Sequence, residues 1–509
     1  MDALQCTAVW ALVSFVTLGV IFASTGSDPQ KYGLIKCTGD NTKECDKALG
    51  SSYHALCGLK RSSWEWGVQD RTIVSEFSLV CGKAWLAPFA VMMFFIGSGA
   101  GCFLWSILAD RIARRKLLNI GCMVAGVCNM LCATAPVLWT LLLFRVFLGM
   151  GCSFMTVSAF VLASDVLGPK WRSYVAFFLH AGFSGGAAVM AVLSWVVPRW
   201  RWLSFICGVL PILFTLSTWS FMVESPSWLL NQGRKGEAAS FIAALAFTNK
   251  ARPPDCALAD PTAILSNPHR HFVDILRHAR LRRRMFLQAL VWIAIVVTYY
   301  SVVMLCDRLS RGGNASDVGR SAMELAFTGF TYELLGIGAL GLLCDKLGRK
   351  HAVVVGLLES GATLFATGFT TGTSQQALVT ASRFGIAGAA AAMNTFSWEL
   401  FPSIVVYPGL AFLNIISRIG TIAAPWIAFA SLQLGSSLVP VTLTGSLCIG
   451  AALISTTLPE TKDFPIPDTV QEMTSIKRTK TWEKFVPVIL GRPPATADQE
   501  HLLVVSNDN

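Results

Sequence analysis

The chain predicts an all-α membrane protein: twelve transmembrane helices in two pseudo-symmetric six-helix bundles. Three observations carry this expectation. The composition is too apolar for a soluble fold, the apolar residues fall into twelve runs of membrane length, and charged markers repeat between the two halves.

Of 509 residues, 53% are hydrophobic and 14% charged, whereas soluble domains carry about 25% charged residues. The lipid bilayer is therefore the expected solvent. The net charge of +11 suits basic loops facing anionic lipid. It does not indicate nucleic-acid binding, because the basic residues lie between apolar spans and not on one soluble domain.

A spanning helix needs about 20 apolar residues. Runs of this kind lie at 7–24, 85–109, 117–135, 138–162, 173–197 and 202–222. After a polar stretch of roughly sixty residues, six more lie at 286–306, 321–343, 351–371, 376–400, 408–432 and 438–457. The expected organisation is an N-terminal bundle over 1–222, a central cytoplasmic loop over 223–285, a C-terminal bundle over 286–457 and a cytoplasmic tail over 458–509. The first run is read as a retained helix and not a cleaved signal peptide. Its leading residues include Asp2 and no Lys or Arg, where a signal peptide wants positive charge.

Orientation follows from the basic loops. Arg111, Arg114, Arg115 and Lys116 follow the second run, and Lys170 and Arg172 the fourth. Arg280, Arg282, Arg283 and Arg284 end the central loop, and Lys346, Arg349 and Lys350 follow the eighth run. All are even-numbered loops, which puts both termini in the cytoplasm. The large loop at about 25–84 then lies outside. It holds Cys37, Cys45, Cys57 and Cys81, an even set that suggests two disulfides with three pairings open. Zinc is the weaker reading, because no pair has Cys-x-x-Cys spacing; no metal site is expected. Asn314, in Asn314-Ala315-Ser316, also falls outside and is a candidate glycosylation site.

The halves keep step. Asp110-Arg111-Ile112-Ala113-Arg114-Arg115 follows the second run, and Asp345-Lys346-Leu347-Gly348-Arg349-Lys350 the eighth. An arginine follows at Arg145 and Arg383, an acid at Asp165 and Glu399, and a further acid at Glu224 and Glu460. An acid with a basic cluster at a helix–helix turn can hold helices together in one state and release them in another. Asp110, Arg111, Arg114, Asp165, Glu224, Asp345, Arg349 and Glu399 are therefore the candidate gating residues. Capping and topology alone would use the same residues. For Arg145 and Arg383 a structural role is expected.

These motifs resemble the major facilitator superfamily, whose turn between helices 2 and 3 reads Gly-x-x-x-Asp-Arg-x-Gly-Arg-Arg. More closely, the chain resembles the organic cation, carnitine and organic anion transporter family within it. The resemblance is carried by Thr72-Ile73-Val74-Ser75-Glu76-Phe77-Ser78-Leu79-Val80-Cys81, Trp200-Arg201-Trp202-Leu203 and Glu224-Ser225-Pro226-Ser227-Trp228-Leu229-Leu230. Glu399-Leu400-Phe401-Pro402 and Pro459-Glu460-Thr461 extend it to the last helix. There are departures. Ser106 and Ala113 stand for glycines, Asp165 for Glu, and Ser227 and Val406 for Arg. Val406 removes the usual partner of Glu399, which predicts a weakened second-half charge network.

Charges inside membrane helices are functional candidates by default. Glu333 lies twelve residues before Asp345. The resemblance implies a Glu there that recognises cations, although the Pro usual two residues on is Leu335 here. Arg418 occupies a position that the resemblance implies is Asp in cation transporters and Arg in anion and carnitine transporters. Its planar fork matches a carboxylate. The functional reading is that Arg418 holds a carboxylate and Glu333 draws a cationic group; a structural ion pair would use the same two residue types. Glu359 is a third buried acid. Trp292, Tyr299 and Tyr300 are candidate aromatic walls, and His180 a group that titrates near neutrality. In helix 4 the family's pocket positions fall on Ser153, Thr156 and Phe160, of which only Phe160 is aromatic.

The expected function is alternating-access transport of small organic ions, either zwitterions such as carnitine or carboxylated anions. The cargo is the expected partner, with a coupled proton or sodium ion as a possible second. No cofactor and no enzymatic activity are expected. There is no Gly-x-x-x-x-Gly-Lys loop for ATP and no Gly-x-Ser-x-Gly or His-Glu-x-x-His motif. The alternatives are an organic cation transporter, a sugar or phosphate porter, and a non-transporting nutrient sensor. The expected location is the plasma membrane, with an internal membrane as the alternative.

Overall fold

Helices dominate because uninterrupted apolar runs leave their backbone groups no partners in lipid except one another. The structure, a computed structural model, describes residues 2–24, 35–37, 57–58, 64–66, 72–109, 111–167, 169–219, 222, 224–248, 275–309, 318–402, 405–434 and 436–462. Twelve long helices lie among them. They are α1 Asp2–Ser24, α2 Leu86–Leu108, α3 Arg114–Thr134, α4 Leu138–Val166, α5 Pro169–Val196 and α6 Trp200–Thr218, then α7 Ala279–Leu309, α8 Val318–Leu347, α9 Arg349–Thr367, α10 Gly372–Leu400, α11 Val406–Gln433 and α12 Leu438–Thr456. Ten are long and apolar enough to cross a membrane. The other two, α9 and α10, are diluted by Glu359, Arg383 and many small residues. The protein is a multi-pass integral membrane protein.

The largest boundary difference is at α7, which starts seven residues before the apolar run, at Ala279. Arg280, Arg282, Arg283 and Arg284 are good helix formers and end the apolar span without ending the helix. The first helix is integral to the fold: Val9, Val16 and Leu18 are fully buried, and α1 packs on α4, α5 and α6.

Every major packing pair has a mate six helices on. The pair α1–α5 matches α7–α11, α2–α4 matches α8–α10, α3–α4 matches α9–α10, and α3–α6 matches α9–α12. Close approach depends on glycine. A Cβ on Gly101 would lie 2.7 Å from the Met150 backbone, and one on Gly336 would collide with the Phe384 carbonyl. Gly101 and Gly336 each stand nine residues before their signature Asp. The halves meet along two seams, α5 against α8 and α2 against α11.

At the end of the N-terminal half opposite the signature turns, strands β1 Ile35–Cys37 and β2 Trp64–Trp66 pair antiparallel. Cys57 and Cys81 form a disulfide, and Cys37 is also disulfide-bonded. Cys45 and the Asn314 sequon lie outside the described residues. Thr72 and Ser75 cap the short helix Ile73–Glu76 reciprocally. Glu76 then accepts from Trp200 Nε1 at 2.6 Å and Arg201 Nε at 3.0 Å, while Arg201 Nη1 donates to the Ala133 carbonyl at 2.6 Å. Two segments that carried the resemblance thus form one contact, locking the loop onto α3 and α6.

Candidate functional site

At the signature turns each half builds a clasp. In the first, Arg114 at the start of α3 ion-pairs with Asp165 near the end of α4. Ser225 bridges them, accepting from Arg114 Nη1 at 3.1 Å and donating to Asp165 Oδ2 at 2.5 Å. Glu224 accepts the Arg115 and Ser225 backbone N–H groups at 3.2 and 3.0 Å. Such acceptors satisfy orphan donors at a helix N-terminus.

The second clasp repeats this with different residues. Arg349 Nε sits 3.1 Å from Glu399 Oε2, and Thr461 Oγ1 donates to the same oxygen at 2.7 Å. Glu460 accepts the backbone N–H of Arg349 at 2.9 Å and of Lys350 at 3.2 Å. His351 Nδ1 adds a contact at 3.1 Å. Val406 offers Glu399 no charge, but Arg349 and Thr461 do bond to it, so Glu399 is not left unpaired. Both clasps tie helices within a half. Between halves at this end, Tyr174 on α5 donates to Asp345 on α8, and Phe160 packs against Trp398 at 5.8 Å. Arg111 is exposed, and Asp110 lies outside the described residues.

Glu333 lies mid-α8, with 0% of its surface exposed. It pairs with Arg383 of α10 and not with Arg418: Arg383 Nε and Nη2 donate to Oε1 at 2.9 and 2.7 Å. Oε2 accepts from Ser184 of α5 at 2.8 Å and from Tyr299 at 3.2 Å. The Ser184 bond crosses the seam between halves. Arg383 lies 3.9 Å over the Phe330 ring.

Arg418 lies mid-α11 at the other seam. Its Cβ would sit 3.5 Å from a side chain added at Gly99 of α2. The neighbouring polar groups are the Cys102 and Cys152 thiols and the Tyr300 hydroxyl. Its Nε is buried and has no hydrogen-bond partner. Among the described residues no acidic side chain pairs with it.

Aromatic rings join the two seams. Tyr300 meets Phe95 of α2 at 4.9 Å, Tyr299 meets Phe183 of α5 at 6.2 Å, and the two tyrosines meet at 5.2 Å. His180 is held on both nitrogens. Nδ1 lies 2.7 Å from the Ala176 carbonyl, so it carries the proton, and Nε2 accepts from Asn394 of α10 at 3.3 Å. That arrangement is a neutral imidazole, packed 5.0 Å from Trp10. Trp292 Nε1 donates to Ser397 at 3.1 Å, within the C-terminal half. Glu359 on α9 has its Oε2 buried against Gly385 of α10, with no hydrogen-bond partner among the described residues.

Sequence reasoning missed Ser184, Phe95, Phe183, Cys102 and Asn394. The repeat held a signal for one of them. Ser184 stands nineteen residues after Asp165, as Arg418 stands nineteen after Glu399.

Two bundles of six helices with matched packing, clasps at the same turns and polar groups at mid-depth define the major facilitator fold. The Major Facilitator Superfamily profile matches residues 83–314. The chain's relatives include organic cation/carnitine transporter 2 of Rattus norvegicus, 28% identical over 82% of this chain and 75% of that one. Solute carrier family 22 member 2 of Homo sapiens is 25% identical over 84% and 76%. Organic cation/carnitine transporter 4 of Arabidopsis thaliana is 26% identical over 92% and 86%. Among solved structures, the partially occluded inward-open xylose transporter XylE from E. coli aligns with a TM-score of 0.60. It is 14% identical and covers 90% of this chain and 99% of that one. The chain is a transporter and not an enzyme.

Proposed function

We propose that the protein carries small organic ions across the plasma membrane by alternating access, holding the carboxylate end of its cargo at Arg418. The observation that carries this reading is a mid-membrane guanidinium with a buried, unpartnered Nε and, among the described residues, no acid paired with it. A buried cation without a counter-charge is costly, and a cargo carboxylate removes that cost while it is bound. The relatives' names supply the substrate class, organic ions, and Arg418 supplies the polarity. Tyr299, Tyr300 and Phe160 serve as apolar walls. The clasps keep each half rigid, and the Tyr174–Asp345 and Phe160–Trp398 contacts part as the halves rock. The cargo's own gradient, or a coupled proton or sodium ion, drives the movement.

The test is uptake of labelled carnitine, tetraethylammonium and an aromatic carboxylate into cells expressing the wild type or Arg418→Gln. Truncating one partner of a buried charge pair costs about 2–5 kcal/mol. Carboxylate uptake per surface copy should therefore fall at least ~30-fold. Unchanged kinetics in the variant would remove Arg418 from the site.

A further inference from the structure

We infer that the cargo is a net organic anion with no fixed positive charge, so that a betaine is a poor substrate and the acid of the same skeleton a good one. This rests on Arg418 as the anchor and deepens that reading. An ionised carboxylate offers about four lone-pair sites. All four at Glu333 are taken: two by Arg383, one by Ser184 and one by Tyr299. A cationic group on the cargo finds no free carboxylate there.

Displacing Arg383 is not an easy route to one. Its side chain is 2% exposed and lies against Phe330, so expelling it would strand a buried cation. The rocking motion does not help either. Glu333 and Arg383 sit on α8 and α10 of the same half and move together; opening the seam releases only Ser184. A quaternary ammonium has no N–H to offer in exchange.

Charge accounting then fixes the sign. Glu333 and Arg383 cancel, and His180 is neutral by its hydrogen bonds. Arg418 leaves the mid-membrane seams with one uncompensated positive charge, which one cargo anion balances. A zwitterion balances the arginine but brings a second cation to seams where, among the described residues, the one mid-membrane acid, Glu333, is already fully paired.

The experiment compares initial uptake of 3-phenylpropionate with that of N,N,N-trimethylphenylalanine, the same skeleton bearing a quaternary ammonium. Each is measured in wild type and Arg418→Gln, normalised to surface protein. The acid should exceed the betaine by at least about tenfold, and its uptake should collapse in the variant. Betaine uptake equal to that of the acid, with both lost in Arg418→Gln, overturns the net-anion inference and leaves the anchor standing. Uptake of both that ignores the substitution overturns the anchor as well. Uptake of neither compound by the wild type also overturns the inference. The wild-type ratio decides the inference by itself, so a variant that fails to reach the surface does not rescue it.

Discussion

The two seams between the halves occupy equivalent places in the repeat but differ in chemistry. Ser184 on α5 and Arg418 on α11 each stand nineteen residues after the acid ending the preceding helix. Ser98 on α2 and Glu333 on α8 each stand twelve residues before the signature Asp. One seam therefore sets Ser184 against the acid Glu333, and the other sets the helix of Ser98 against the base Arg418. The acid has an internal partner in Arg383. The position matching Arg383, sixteen residues before the end acid of α4, is Gly149, and Ser98 bonds Ser153 at 2.7 Å. Arg145 lies one turn further along α4 and reaches Ser24 at 3.0 Å. The lesson is a division of labour. The closed seam is charge-balanced and structural, and the open charge sits on the other.

The largest expected effect breaks the balanced seam. Arg383→Met leaves Glu333 buried without a cation and should lower stability by about 3–5 kcal/mol. Glu333→Met with Arg383→Met removes both charges and should recover most of that loss, since two apolar groups of similar volume replace the pair. Thermal unfolding of the detergent-purified protein measures both. A double variant no more stable than the single one would mean that the pair does not act as a unit.

A second prediction balances the open seam. Cys102 lies beside Arg418 and is 3% exposed. Cys102→Asp supplies the missing acid, so 3-phenylpropionate uptake should fall about tenfold relative to Cys102→Ser, the neutral control of similar size. Equal uptake by the two variants would show that the charge on Arg418 is not what the cargo balances.

The scaffold was legible because lipid forces apolar length and loop charge to track topology. All twelve helices overlap their apolar runs, and the repeat markers include the acids of both clasps, though not the bridging hydroxyls of Ser225 and Thr461. Pair identities were less legible. Glu333 and Arg418 are the two charges that stand out in the apolar runs, yet they sit at different seams. Linear spacing says nothing about which helix faces which. Arg383 was visible as a repeat marker, but its pairing depends on the α8–α10 crossing, which Gly336 and Gly388 make close. Glu399 finds partners despite Val406 for a similar reason. Thr461, from beyond α12, reaches Glu399 through a turn that no local pattern announces.

The smallest effect separates the two clasps. Gly348 adopts φ +107°, whereas its counterpart Ala113 sits at −54°. A Cβ at 348 would lie 2.6 Å from a Glu460 oxygen, so the second clasp closes more tightly over its acid. Burial pushes the Glu460 carboxyl up and is the largest single influence. The donors around it, His351 and the backbone N–H groups of Lys462, Thr461 and Arg349, together outweigh burial and hold it below the ordinary range. A carboxyl depressed in the folded state stabilises above its unfolded pKa of about 4.3. That stabilisation is lost as pH falls through the lower folded value. Glu460→Gln keeps an acceptor oxygen without the charge. It should cost ~1 kcal/mol at neutral pH and flatten the fall in melting temperature on acidification from about pH 6 to about pH 3. A variant with the same acid slope as the wild type would place that pH dependence elsewhere in the two clasps.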